Sequence, residues 1–153
     1  MKFAMKKCSA VLLALLLAVS LLPVSRGFAA DVSENTHVED LGNGITVESV
    51  LVVKPSLARS SSKSASLTST FKHNGVQIAV ITLNAVFIYD GSTSRATYAS
   101  YSKDVASGWT YANHSLTRSG NTAALTATLK NPPFNVPVDM KISCSPTGVI
   151  TKG

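Results

Sequence analysis

One long apolar run, Val76 to Tyr89, most constrains what this chain can fold into. Its sequence, VQIAVITLNAVFIY, is rich in β-branched and aromatic side chains, contains no Gly or Pro, and stops at Asp90-Gly91. By periodicity alone, an apolar run of this length fits a buried helix as well as a strand. The β-branched content and the turn residues at both ends favour a strand. We therefore predict a central β-strand that is apolar on both faces.

Shorter strand patterns precede and follow this run, and turn residues separate them. Alternating apolar and polar residues, bounded by Gly, Pro, Asn and Asp, predict strands at residues 45–53, 65–72, 94–102, 109–111, 115–118, 122–130, 136–144 and 149–151. Seven to nine short strands with frequent turns predict an all-β fold. The expected architecture is an antiparallel β-sandwich, either immunoglobulin-like or barrel-like.

Residues 1–29 have the layout of a secretory signal peptide. Three lysines precede an apolar run at residues 11–22, and small residues follow Pro23. A membrane anchor needs about 20 apolar residues, so this run is too short to be one. We predict cleavage after Ala29 or after Ala30, giving a secreted, extracellular protein with no membrane span after cleavage.

The processed chain carries little net charge. Removing residues 1–30 takes away four of the fourteen basic residues and none of the eight acidic ones, which leaves a net charge of +2. A charge this small and scattered argues against a nucleic-acid partner. Residues 30–44 are acidic and polar, and we predict a flexible segment that is either exposed or folded back on the more basic body. Residues 45–153 are enough for a single β-sandwich domain.

Cys144 is the only cysteine that follows the predicted cleavage point, so the processed chain cannot form an intrachain disulfide. It lies in phase with Val138, Met140 and Ile142 on a predicted strand, which indicates a buried free thiol. The lack of disulfides is more typical of an exported bacterial protein than of a secreted animal protein.

The sequence contains no complete catalytic or metal-binding motif, since Ser60-Ser61-Ser62-Lys63 matches S-x-x-K without the further motifs that this pattern needs. The three histidines, His37, His73 and His114, are far apart, and none has a neighbour at metal-ligand spacing. We therefore predict a protein that is not an enzyme and that uses no metal and no cofactor. An unrecognised hydrolase stays open as an alternative, because a Ser-His-Asp triad is recognised by geometry rather than by sequence.

Aromatic residues cluster between positions 87 and 111, where they either fill the core or form a stacking surface. Tyr98 and Tyr101 are three positions apart on one predicted strand, so their side chains should point to opposite faces of the sheet. One of them should therefore face solvent. Alternate residues of a strand point to the same face, which places Arg95, Thr97 and Tyr101 together. Because arginine is seldom buried without a partner, we predict that this face is exposed to solvent. Tyr101, Arg95 and Thr97 are thus the predicted ligand-binding residues. They offer a stacking plane and guanidinium donors to a sugar or an acidic polymer.

Three stretches of the chain resemble a group of uncharacterised short exported β-rich proteins of Gram-positive bacteria. The stretches are AVFIYDGSTSRATYASYS (85–102), SGWTYANHSLTRSGNTAALTATLK (107–130) and VPVDMKISCSPTGVI (136–150). The resemblance implies a β-rich fold and export from a Gram-positive bacterium. It implies no catalytic residues.

These observations predict a secreted, non-enzymatic β-sandwich that binds a cell-wall glycan or an extracellular protein at or near the cell surface. A secreted bacteriocin-like or toxin effector is the alternative. A growth-inhibition assay with the purified processed protein would separate the two.

Overall fold

A computed structural model describes residues 33–54 and 61–153, with side chains from Asn35 onward. Nine strands make up most of these ranges: β1 (Ser33–Gly42), β2 (Ile45–Lys54), β3 (Ser62–His73), β4 (Val76–Tyr89), β5 (Ser94–Val105), β6 (Thr110–Ser119), β7 (Thr122–Asn131), β8 (Phe134–Cys144) and β9 (Ile150–Lys152). These ranges contain no helix, and so none that could cross a membrane. The predicted signal peptide, residues 1–29, lies outside the described residues.

The strands form two antiparallel sheets in the orders β1-β2-β3-β4-β5 and β6-β7-β8-β9. Each strand pairs with its neighbour in sequence, and the chain changes sheet between β5 and β6. The inner faces of the sheets pack together, as in other β-sandwiches. The predicted all-β antiparallel sandwich is confirmed, and the two sheets do not close into a barrel.

The long apolar run forms β4, which pairs with β3 on one side and β5 on the other. Its odd-numbered residues Ile81, Leu83 and Phe87 are buried in the core, whereas Thr82 and Asn84 lie half-buried on the outer face. The predicted central strand is confirmed. The outer face also carries apolar residues, Val80, Val86 and Ile88, but they are only half-buried because no described layer packs on the outer face of the five-stranded sheet.

The second sheet supplies its half of the core from two strands with strict alternation. Buried residues on β7 and β8 point toward the first sheet: Ala123, Leu125, Ala127, Leu129, Val136, Val138, Met140, Ile142 and Cys144. Cys144 is a free thiol in the core, as predicted. Its burial raises the pKa of the thiol, and Lys63 opposes the shift.

The acidic N-terminal segment is an edge strand over much of its length. Residues 33–42 of the segment predicted to be flexible form β1, which pairs with β2 along nearly its whole length. The flexibility of residues 30–44 stays a prediction. An edge strand tolerates polar and charged side chains because one of its sides has no partner strand. The chain turns from β1 into β2 at Gly42-Asn43-Gly44, where all three residues have positive φ.

Candidate functional site

The three predicted site residues lie on β5 but do not form one surface. Arg95 pairs with Ile88 and Tyr101 pairs with Leu83, two β4 residues of opposite parity. A β-bulge causes the change, because the register shifts between Val86 and Phe87 and leaves Thr97 unpaired. The predicted shared face is therefore wrong: Arg95 lies on the outer face of the sheet, and Tyr101 lies on the inner one.

Thr97 and Arg95 are exposed at the bulged end of β5. The Thr97 hydroxyl donates a hydrogen bond to the Val86 carbonyl at 3.1 Å, and the Thr97 carbonyl accepts one from Arg118. Arg95 borders a cavity of about 490 Å³ beside Asp90, at the turn that ends β4. Asp90 accepts hydrogen bonds from the backbone N–H groups of Thr93 and Ser92, which lower the pKa of its carboxyl group.

Tyr101 packs between the two sheets where β5 meets β6. Its ring lies 6.0 Å from that of Tyr111 and 5.6 Å from that of His114, and we call these three residues the ring cluster. The Lys103 Nζ lies 4.6 Å from the centre of the Tyr111 ring. The Tyr111 hydroxyl is buried and has no hydrogen-bond partner among the described residues. Burial, with a smaller contribution from Tyr101, raises the pKa of Tyr111 to about 12.

The exposed tyrosine of β5 is Tyr98, with 55% of its surface accessible. It pairs with Val86 on the outer face of the sheet, the face that also carries Arg95. The prediction that one of Tyr98 and Tyr101 faces solvent is confirmed, and the bulge at Thr97 determines which one. Tyr101 contributes to packing at the β5–β6 side of the sandwich. Its binding role stays a prediction.

The opposite side of the sandwich, where β1 faces β8 and β9, holds a continuous groove. One cavity of about 550 Å³ lies between Glu39 and Lys152, and a second of about 410 Å³ shares both of these residues. A third, of about 290 Å³, shares Leu41 and Pro137 with the second. We call the three cavities together the open groove. It exists because β9 has only three residues, so the four-stranded sheet ends before it covers β1.

The walls of the open groove carry polar and charged side chains. On β1, Asn35, His37 and Glu39 pair with inward-facing residues of β2, so they point toward the groove. Lys152 lies on the other wall, on β9. Among the described residues there is one ion pair, which joins Lys72 to Glu48. Within residues 33–54 and 61–153, neither Glu39 nor Lys152 has an ion-pair partner.

The floor of the groove contains a pair of buried hydroxyl groups. Ser49 and Ser69 are each 3% exposed, and their oxygens are 3.0 Å apart. One hydrogen bond between two hydroxyls uses one hydrogen and leaves the other available. Both residues border the middle cavity beside Val47 and Phe71. The floor thus combines apolar surface with one fixed point that can donate or accept a hydrogen bond.

The histidines do not meet one another or a set of carboxylates. His37 lies in the open groove, His73 packs against Trp109 and Phe134, and His114 belongs to the ring cluster. Within residues 33–54 and 61–153, no three His, Cys, Asp or Glu side chains are placed to hold a metal ion.

Comparison with known proteins assigns no family to the chain: no family model, no curated protein and no solved structure matches it. The function of the open groove is therefore inferred from its own residues. Sequence patterns did not indicate the groove, because it depends on which strands face each other across the sandwich. The one available signal was the polar inner row of β1, Asn35, His37 and Glu39, which alternates in the sequence.

Proposed function

We propose that this chain is a secreted, non-enzymatic binding protein that holds its ligand, a cell-wall glycan or an extracellular protein, in the open groove. The observation that carries the proposal is the continuity of three cavities along β1 and β8–β9. Secretion rests on the signal-peptide pattern of residues 1–29.

The shape of the groove suits an extended polymer better than a small molecule. Sites for small molecules enclose most of the ligand in one apolar pocket. Here the cavities follow one another along the side of the sandwich and share residues such as Glu39 and Pro137. A chain-like ligand can therefore contact the Ser49–Ser69 pair, the apolar floor and the charged walls at successive positions.

The hydrogen bonds of the groove support binding rather than catalysis. A catalytic serine needs a base within hydrogen-bonding distance to remove its proton. Ser49 and Ser69 hydrogen-bond to each other, and neither bonds to His37 in the described structure. A hydroxyl pair of this kind can orient a polar ligand, and no described hydrogen bond joins it to the ring of His37, which lies opposite Ser49 in the β1–β2 pairing.

The test compares two double variants of β1. His37→Ala with Glu39→Ala removes two side chains from the groove wall, whereas Thr36→Ala with Val38→Ala removes two from the opposite face of the same strand. All four side chains are exposed, so both variants should keep the stability of the parent protein.

Binding is measured by co-sedimentation of the purified processed protein with isolated Gram-positive cell walls, before and after extraction of wall-associated proteins. We expect the groove variant to lose at least tenfold in affinity and the control variant to bind like the parent. Equal binding by the two variants would show that the ligand lies elsewhere. Binding that survives extraction identifies a glycan ligand, and binding that is lost identifies a protein.

A further inference from the structure

We propose that the ligand of the open groove is an extended peptide of a partner protein, which adds to the free edge of β8 as a tenth strand, antiparallel to β8. The proposal rests on the function proposed above and specifies its ligand. Strand addition is a common way to bind a peptide, because backbone hydrogen bonds supply affinity and alternate side chains supply selectivity.

Most of β8 has a partner on one side only. β7 pairs with β8 from Phe134 to Ser143, whereas β9 pairs with Ile142, Ser143 and Cys144 alone. The stretch from Phe134 to Met140 therefore has one free edge among the described strands, because the Lys141 carbonyl already accepts a hydrogen bond from Gly153. At about 3.3 Å per residue, this edge is about 23 Å long, which is enough for a peptide of six or seven residues.

The direction of the free backbone groups follows from two hydrogen bonds. Gly153 N donates to Lys141 O, so the polar backbone groups of Lys141 point toward the β9 side. Cys144 N donates to Asn121 O, so residues of even number point toward β7. In an antiparallel ladder this alternation continues along the strand. Asn135, Pro137 and Asp139 therefore direct their polar backbone groups to the free edge.

The same three residues line the open groove. Asn135 and Pro137 border the smallest cavity, and Pro137 and Asp139 border the middle one. Their side chains are exposed on the outer face of the sheet, so it is the backbone edge of β8 that faces the groove. An added strand thus meets two N–H donors, from Asn135 and Asp139. It also meets three C=O acceptors, from these two residues and Pro137, at every second residue along β8.

The groove also has room for the side chains of an added strand. Residues that pair across two strands point to the same face of a sheet. Peptide residues opposite Val136, Val138 and Met140 would therefore point inward, toward Val47 and Phe71 on the floor. Their neighbours would point to solvent. The expected ligand consequently alternates apolar and polar residues.

Pro137 makes this edge selective. Proline has no N–H and is a common guard against accidental pairing of edge strands. An incoming strand loses one backbone hydrogen bond at this position. Its affinity therefore depends on the fit of its inward side chains, which favours one partner sequence over strands in general. A glycan has no equivalent use for alternating backbone donors and acceptors.

The experiment selects random linear 12-residue peptides by phage display on the purified processed protein and measures the affinity of the best peptide by fluorescence polarisation. Asp139→Pro removes one N–H from the free edge and keeps the pairing with β7. Asp139→Ala removes the same carboxylate and keeps the N–H. We expect Asp139→Pro to bind the peptide about fivefold or more weakly than Asp139→Ala does.

Amide hydrogen exchange, followed by nuclear magnetic resonance on the unmutated protein, gives a second readout if Asp139→Pro fails to fold. We expect the N–H groups of Asn135 and Asp139 to exchange at least tenfold more slowly when the peptide is bound. Three results would overturn the proposal: no selected peptide, equal affinities of the two variants, or protection of these amides by a second copy of the chain without peptide. A glycan could instead bind the parent protein, fail to bind the His37/Glu39 variant, and leave the N–H groups of Asn135 and Asp139 unprotected. That result would refute strand addition but would support ligand binding in the open groove.

Discussion

Replacing Tyr101 by alanine should destabilise the fold, because the ring packs between the two sheets. Truncating a fully buried aromatic residue costs about 3–5 kcal/mol. Tyr101 is half-buried at the edge of the core, and its contact with Tyr111 adds part of the stabilisation of an aromatic pair. We expect a loss of about 2–3 kcal/mol in the free energy of unfolding. For a domain of this size, the loss lowers the unfolding midpoint by about 8–12 °C.

Tyr98→Ala is the matched control, since it removes the same side chain from the exposed outer face of the same strand. We expect it to change stability by less than about 0.5 kcal/mol. Circular dichroism during thermal and urea unfolding of both variants measures the difference. Equal stabilities would refute the packing role of Tyr101 and would return it to the list of candidate binding residues.

Three further expectations concern buried polar groups. Cys144 should react slowly with a thiol reagent in the native protein and rapidly in urea, because burial both covers the thiol and raises its pKa; rapid native labelling would contradict its burial. When the pH is raised, the free energy of unfolding should fall less for Tyr111→Phe than for the parent protein. The raised pKa of Tyr111 means that its stabilising effect is complete below pH 10 and is lost as the pH rises through about 12. Ser49→Ala or Ser69→Ala alone should cost about 1–3 kcal/mol, since each leaves a buried hydroxyl without its partner, whereas the double variant should cost less than either. Urea unfolding checks the serine and tyrosine variants, and a double variant that is less stable than both singles would contradict the pairing argument.

Sequence patterns predicted the parts of the fold in which one periodicity continues without interruption. β8 alternates from Val136 to Cys144 with no extra residue, so the buried face and the position of the thiol followed directly. β4 is bounded by Asn-Gly and Asp-Gly turns, which separated it from a helix of similar composition. In both strands, local chemistry and tertiary packing favour the same structure.

The candidate site escaped prediction because it depends on pairing between distant strands. One unpaired residue, Thr97, reverses the parity of β5 and places Arg95 and Tyr101 on opposite faces. The acidic composition of β1 concealed an edge strand, since solvent on one side allows charges that a central strand excludes. The open groove arises where the short β9 leaves β8 unpaired, and single-strand periodicity carries no information about the length of a neighbour.

The order of the strands also has a kinetic consequence. In both sheets, every strand pairs with the strand next to it in sequence, and the turns β1–β2 and β3–β4 each contain two residues. Short loops lose little entropy on closure, and proteins with many local contacts fold faster than those with distant strand pairings. Each hairpin can therefore form as soon as its two strands are available, and the two sheets need to meet only once, after the β5–β6 connection. Such a route keeps apolar strands such as β4 exposed for a shorter time during folding.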